Sequence, residues 1–255
     1  MCSSINSMFS YLYHTFVFDP LYNGFVFLIG AFPWADVGIV VVILTLFVKV
    51  ILFPLTRKAV RTQIIMKLSD KDIRSIKEKY PNKQEQALKV MEYYKTKNIN
   101  PFSGILLLLI QIPILFALYK VFYSNGLEVF NTEILYSFVK VPTAINEIFL
   151  GIFDVTQKSY VLALCAGITQ FIYAYLASPK AQPRKEGASF SDDLARNMNL
   201  QMKYFLPLFI FFVSYHAAGA LAIYWTTSNI FTIFQELFVR KELSKKDQDK
   251  LAPIN

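Results

Sequence analysis

The sequence predicts an all-α, polytopic membrane protein with five transmembrane helices and a cytosolic helical hairpin. Three observations predict it. Of 255 residues, 55% are hydrophobic, 24 are Phe, and mean hydropathy is positive. The apolar residues gather in runs of about 20, the length a bilayer-crossing helix needs; a soluble core of this size needs no such runs. The cations collect between the runs, and no period-two alternation suggests a barrel, so helices are left as the structure that satisfies its own backbone in lipid.

Residues 1–35 read as an extracellular, interfacial segment. Met1 to Phe18 is too polar to span, and Asp19-Pro20 marks a break or helix start. Leu21 to Phe32 is short and holds Asn23 and Gly24, so a surface-lying amphipathic helix is expected, ended by Phe32-Pro33-Trp34 at head-group level. Cys2 lacks a preceding apolar run and the terminus lacks a basic n-region, so neither a lipoprotein signal nor a cleaved signal peptide is expected.

The first span is 36–56. Its stretch VGIVVVILTLFVKVILFPLT carries one charge, Lys49. An intramembrane cation costs about 2.5–3.5 kcal/mol on insertion scales, so a sequence that keeps one has a use for it. Residues 57–100 then hold twelve Lys or Arg against five acids, with apolar positions near helical spacing on either side of Tyr80-Pro81-Asn82. This reads as a helical hairpin standing in water, its charge mostly a solvated face. The second span is 101–123, opened by Asn100-Pro101. An outer connection, 124–158, has four acids and two cations; the third span is 159–177. A polar segment, 178–203, rich in Pro, Gly, Ser and charge, precedes spans four and five within 204–239, whose link Ala217-Ala218-Gly219 makes them antiparallel neighbours. A basic tail, 240–255, ends the chain.

Orientation follows from charge. The segments after spans one and three and the tail carry twelve, five and five cations, against two in the segment after span two. The positive-inside rule puts the N-terminus outside and the C-terminus in the cytoplasm of a plasma (inner) membrane protein. No internal repeat is visible, which argues against inverted-repeat transporters.

Polar residues inside the spans fall at one level. At 1.5 Å per residue, Lys49 lies about 10 Å in from the cytosolic edge, Gln111 about 15 Å, Gln170 about 12 Å and Asn229 about 16 Å. Thr45 sits one turn from Lys49 on the same face. The bland reading is a snorkelling lysine and amides bonded to neighbouring helices. The shared depth favours a water-containing cavity open to the cytoplasm. Trp225 belongs to that cavity or anchors at the interface. Beyond Asp36 at the edge of the first, the spans hold no Asp or Glu before Glu236, which weakens ion-coupled transport. His14 and His216 have no obvious acid or metal-ligand companion, and Cys165 reads as a packing residue. No phosphate loop, metal set or nucleophile motif appears, so neither catalysis nor a cofactor is expected. An unpaired cation in a wet cavity attracts a carboxylate from elsewhere, such as the tail of a passing polypeptide. A small channel or transporter subunit is the alternative.

The residues DPLYNGFVFLIG, DVGIVVVILTLFVKVILFPLTRKA, KEKYP, YYKTKNINPFSGILLLLIQIPILFALYKVF and AAGALAIYWTTSNIFTIFQE together resemble the YidC/Oxa family of membrane protein insertases, over nearly everything from Asp19 to Lys241. The most specific parts are INPFSG with LIQIPILFALY, and the pattern Gly219, Tyr224, Trp225, Ser228, Asn229. The resemblance implies a non-enzymatic insertase and chaperone with a hydrophilic groove closed toward the outside. It implies a groove cation that recruits the outward-bound part of a nascent membrane protein, whose apolar part slides into lipid along spans three and five. Groove residues are then Lys49, Thr45, Gln111, Gln170, Trp225 and Asn229. Partners implied are nascent membrane proteins, the ribosome, the Sec translocon and membrane lipids, with no nucleic acid beyond ribosomal RNA contact. Two departures from the family stand out: Lys49 stands where Arg is usual, keeping charge but losing the bidentate fork, and Tyr173 and Ala174 stand where paired Gln is frequent. The large outer domain of some bacterial members is not expected here.

Overall fold

The computed structural model describes residues 8, 10–100, 103–123, 130–177 and 200–246. The fold is all-α: the only strands among the described residues are two of two residues each. The expected polar segment between spans three and four lies outside the described residues over 178–199, as does the tail beyond 246.

A π-helical turn, His14–Phe18, leads into α1, Asp19–Ala31, where Pro20 occupies a first-turn position that needs no N–H donor. The helix expected to lie on the surface instead sinks one face into the core. Phe25 and Val26 are fully buried, and Phe25 meets the edge of Phe122. Asn23 is buried too; its amide donates to Ile134 O at 2.8 Å and its oxygen accepts from Tyr136 N at 2.6 Å, tying α1 to the outer connection.

Helix α2, Val37–Ile51, starts at Asp36, whose carboxylate accepts from Ile39 N at 2.8 Å. Val37, Val40, Val41 and Leu44 form its buried stripe, while Phe47, Val50 and Ile51 are exposed. The apolar stretch read as running to Thr56 is a straight helix only to Ile51. There the chain bends by 71° into α3, Phe53–Leu68. Pro54 supplies the reason, since it cannot donate to the carbonyl one turn back. Helices α4, Asp70–Lys79, and α5, Lys83–Thr96, fold back on each other across residues 80–82. Asn82 caps α5, and Gln86 donates to Lys77 O at 2.7 Å. Tyr93 donates to Asp72 at 2.6 Å; burial first, then that carboxylate, raises the phenol above its ordinary pKa.

Helix α6, Ser103–Tyr123, contains Pro113. The outer connection carries β1, Ile148–Phe149, and β2, Phe153–Asp154, paired antiparallel. This small hairpin sits on the start of α2: Leu150 N reaches Asp36 Oδ2 at 3.1 Å, and the Phe149 ring lies where a side chain at Gly38 would be, 2.2 Å from an added Cβ. The residues just after β2 also receive the start of the last helix, with Gly219 N and Ala220 N donating to Gln157 O and Val155 O, each at 2.9 Å.

Helix α7, Tyr160–Ala177, packs through small residues: Ala163 and Ala166 are fully buried, and Gly167 faces Phe211 closely. A second π-helical turn, Gln201–Phe205, opens into α8, Leu206–His216, and residues 217–218 turn the chain into α9, Gly219–Lys246. Among the described residues one helix, Tyr160–Ala177, is alone long and apolar enough to cross a membrane; α2 and α3 qualify together as a bent pair, and Leu109–Phe122 is a shorter apolar helix. The outer flanks of α2, α6, α7, α8 and α9 expose Phe47, Phe116, Ile168, Phe209, Phe212 and Phe238, among others. Contiguous apolar surface on that scale suits a hydrocarbon solvent.

Candidate functional site

A cavity of about 240 Å³ lies among α2, α3, α6, α7, α8 and α9. All six residues singled out from the sequence line it: Thr45 and Lys49 from α2, Gln111 from α6, Gln170 from α7, Trp225 and Asn229 from α9. Leu21, Leu44, Ile114, Leu118 and Ile210 supply apolar wall, and among the described residues no Asp or Glu lines it.

Lys49 is half-buried. Its Nζ donates to Gln111 Oε1 and to Thr232 Oγ1, each at 3.4 Å, long for an ammonium donor. Both acceptors are neutral, and both are oriented by bonds of their own. Gln111 donates from its amide nitrogen to the Tyr224 hydroxyl and, at 3.5 Å, to Ser228 Oγ, which turns its oxygen toward Lys49. Thr232 donates to Ser228 O at 2.7 Å, leaving its oxygen to accept. The ammonium is thus held by dipoles and by no carboxylate.

The other candidates play unequal parts. Thr45 shares the face but donates to Val41 O at 2.6 Å within its own helix, so its hydroxyl proton is used locally. Asn229 donates to Thr169 Oγ1 at 3.3 Å, joining α9 to α7. Gln170 is buried in the wall. Trp225 is 8% exposed, so it packs inside the bundle rather than anchoring at an interface.

Sequence reasoning missed Tyr224, Ser228, Thr232 and Gln235, which also line the cavity. A signal was present: these polar residues recur on one face of α9 at intervals of four, four and three. It also missed the floor toward the basic segments. Gln235 donates to Thr56 Oγ1 at 2.8 Å, Arg57 pairs with Glu242, and Val60, Ile64, Val239 and Leu243 form an apolar cluster between α3 and α9. Lys67 and Arg240 both donate to Leu176 O, at 2.6 and 2.7 Å, closing the end of α7, and Arg240 pairs with buried Glu236. His14, expected to lack an acid companion, has Asp19 at 3.1 Å, in the N-terminal segment and away from the cavity. His216 bonds Phe212 O at 2.9 Å. Among the described residues no cluster of His, Cys, Asp or Glu could hold a metal.

A second cavity, about 420 Å³, lies nearer the start of α9, between α6 and α8. Leu115, Phe116, Val213, Ala217 and Leu221 make it apolar, with Tyr119, His216 and Trp225 completing the lining. Helices α7 and α9, the third and fifth spans of the sequence reading, are joined by the bond from Asn229 to Thr169.

Apolar outer flanks around a polar interior that holds a cation define a helical membrane protein. The chain belongs to the family described as 60Kd inner membrane protein, whose model matches residues 29–247. It is similar to the membrane protein insertase YidC of Clostridium tetani, 33% identical over 86% of this chain and 89% of that protein. The YidC of Clostridium acetobutylicum is 28% identical over 90% of this chain and 83% of its own length. That of Wolinella succinogenes is 31% identical over 98% of this chain but only 41% of the longer relative. The family is one of non-enzymatic insertases of the inner membrane.

Proposed function

We propose that this chain receives nascent membrane proteins in the cavity around Lys49 and releases their apolar segments into the bilayer. The supporting observation is the ammonium itself, held at 3.4 Å by two neutral oxygens and by no carboxylate. A lysine has three donor protons, so one remains for an entering acidic or polar tail. Such a tail would otherwise meet hydrocarbon with its polar groups unsatisfied. Gln111, Ser228, Thr232 and Asn229 offer substitute partners over part of that path. The barrier falls without any chemical energy source, and the apolar remainder partitions into lipid by its own hydrophobicity. That apolar part leaves for lipid along α7 and α9, the third and fifth spans of the sequence reading.

In this reading five spans cross the membrane, N-terminus outside and C-terminus in the cytoplasm, and α4 with α5 forms a cytosolic hairpin that meets clients or partners. The basic tail engages the ribosome, and the protein works alone or beside the Sec translocon. The charge asymmetry of the connecting segments supports this orientation.

The test is insertion of a short acidic-tailed substrate into liposomes holding the purified protein. Lys49→Arg keeps insertion and Lys49→Ala impairs it severalfold. Equal insertion by the alanine variant removes Lys49 from the mechanism. Steady ion flux through the unmodified protein in the same liposomes would favour a channel instead.

A further inference from the structure

Among the described residues, Trp225 is the only one that lines both cavities. On its inner side lies the polar chamber with Lys49; on its outer side lies the apolar notch bounded by Leu115, Phe116, Val213 and Leu221. It follows Tyr224, whose hydroxyl accepts from Gln111, and precedes by three residues Ser228, which meets the same amide. The hydrogen-bond network of Gln111, Tyr224 and Ser228 therefore ends beside this indole, and the wall beyond it is mostly apolar, with Tyr119 and His216 completing it. From Trp225 to the start of α9 at Gly219 is six residues, about 9 Å of helix. A hydrated chamber reaching Trp225 already leaves the apolar barrier much thinner than the ~30 Å of an intact bilayer core.

We propose that the indole of Trp225 is the septum of this protein: it confines water to the inner chamber and keeps that chamber from merging with the outer notch. The inference goes beyond the insertion mechanism, because a septum is required of any membrane protein with a half-depth wet chamber, whatever enters it. Three features suit Trp225 to the task. It is among the broadest side chains and is 92% out of contact with solvent, at 8% exposed. Its neighbours toward the outer end, Leu221 and Ala217, are smaller and line the notch without reaching the chamber. The flanking helices give apolar side chains to both cavities, Ile114 and Leu115 from α6 and Ile210 and Val213 from α8.

The experiment uses the full chain with Cys2 and Cys165 replaced by Ser, in sealed vesicles. A membrane-impermeant thiol reagent is added on the side bearing the basic segments. Leu115→Cys reports the notch and Thr232→Cys reports the chamber. With Trp225 present, Thr232→Cys reacts and Leu115→Cys does not. In Trp225→Ala, labelling of Leu115→Cys rises about tenfold or more, because a thiol must be hydrated and ionised to react, while Thr232→Cys is unchanged. Ready labelling of Leu115→Cys beside an intact Trp225, or continued protection in Trp225→Ala while Thr232→Cys still reacts, overturns the proposal. Trp225→Leu, which removes less volume, is read by the same criteria and decides the matter if the alanine variant fails to fold.

Discussion

Lys49 Nζ and Gln111 Oε1 lie 3.4 Å apart, and the same amide donates from its other end to Tyr224. Gln111 is therefore an orienting acceptor that leaves the ammonium's charge uncancelled. Replacing it with an acid of nearly the same shape supplies the cancelling charge, and the Tyr224 and Ser228 hydroxyls, which accept from the amide, can turn to donate to the carboxylate instead. Gln111→Glu is expected to form an internal ion pair with Lys49 and to lower insertion of acidic-tailed substrates to the level of Lys49→Ala, with stability preserved. A buried charge that finds its mate within the protein is no longer available to a client. Side-by-side insertion assays and thermal unfolding check this; full insertion by Gln111→Glu counts against recruitment by charge.

The junction of α3 with α9 combines an exposed ion pair, Arg57 with Glu242, and the buried cluster of Val60, Ile64, Val239 and Leu243. The magnitudes favour the cluster. An exposed pair contributes about 0.2–1 kcal/mol, whereas truncating a buried leucine costs about 2–5 kcal/mol. Leu243→Ala is expected to loosen α3 and expose the segment after it to limited proteolysis. Arg57→Ala is expected to leave the digestion pattern nearly unchanged.

At the opposite end, Gly38 accommodates the ring of Phe149, which an added Cβ would approach to 2.2 Å. Gly38→Val is expected to displace the β1–β2 hairpin and to destabilise the protein by about 1–3 kcal/mol, the usual range for overpacking. Phe149→Ala should recover much of that loss in the double variant, since the two positions share one space. Additive losses in thermal unfolding would show that the two sites do not compete.

Removing residues 245–255 takes away basic tail residues while leaving every cavity-lining residue in place. Ribosome cosedimentation is expected to weaken severalfold, with liposome insertion of short substrates maintained. Unchanged cosedimentation would exclude the tail from that contact.

Much of the candidate site was legible in the sequence because lipid makes polar residues conspicuous. Lys49, Gln111, Gln170 and Asn229 stand out in apolar runs, and one helical rise per residue places them at one depth. The all-α class was legible for the same reason. Three things were less so. The break after Ile51 depends on how Pro54 and the α3–α9 cluster act together, and a run of apolar residues does not reveal it. The burial of α1 depends on Asn23 finding partners in the outer connection, over a hundred residues away. The part played by Trp225 was left open between cavity and interface, because an amphipathic ring suits either place and only its neighbours decide.

Accessibility of cysteines placed along α2 tests most directly whether water reaches the level of Lys49. With native cysteines removed, Thr45→Cys, Val48→Cys and Leu52→Cys face the cavity, while Phe47→Cys and Val50→Cys lie on the exposed apolar flank. An impermeant reagent supplied from the side of the basic segments is expected to label the first three and spare the other two. Protection of all five, or equal labelling of all five, would contradict a hydrated chamber around the ammonium.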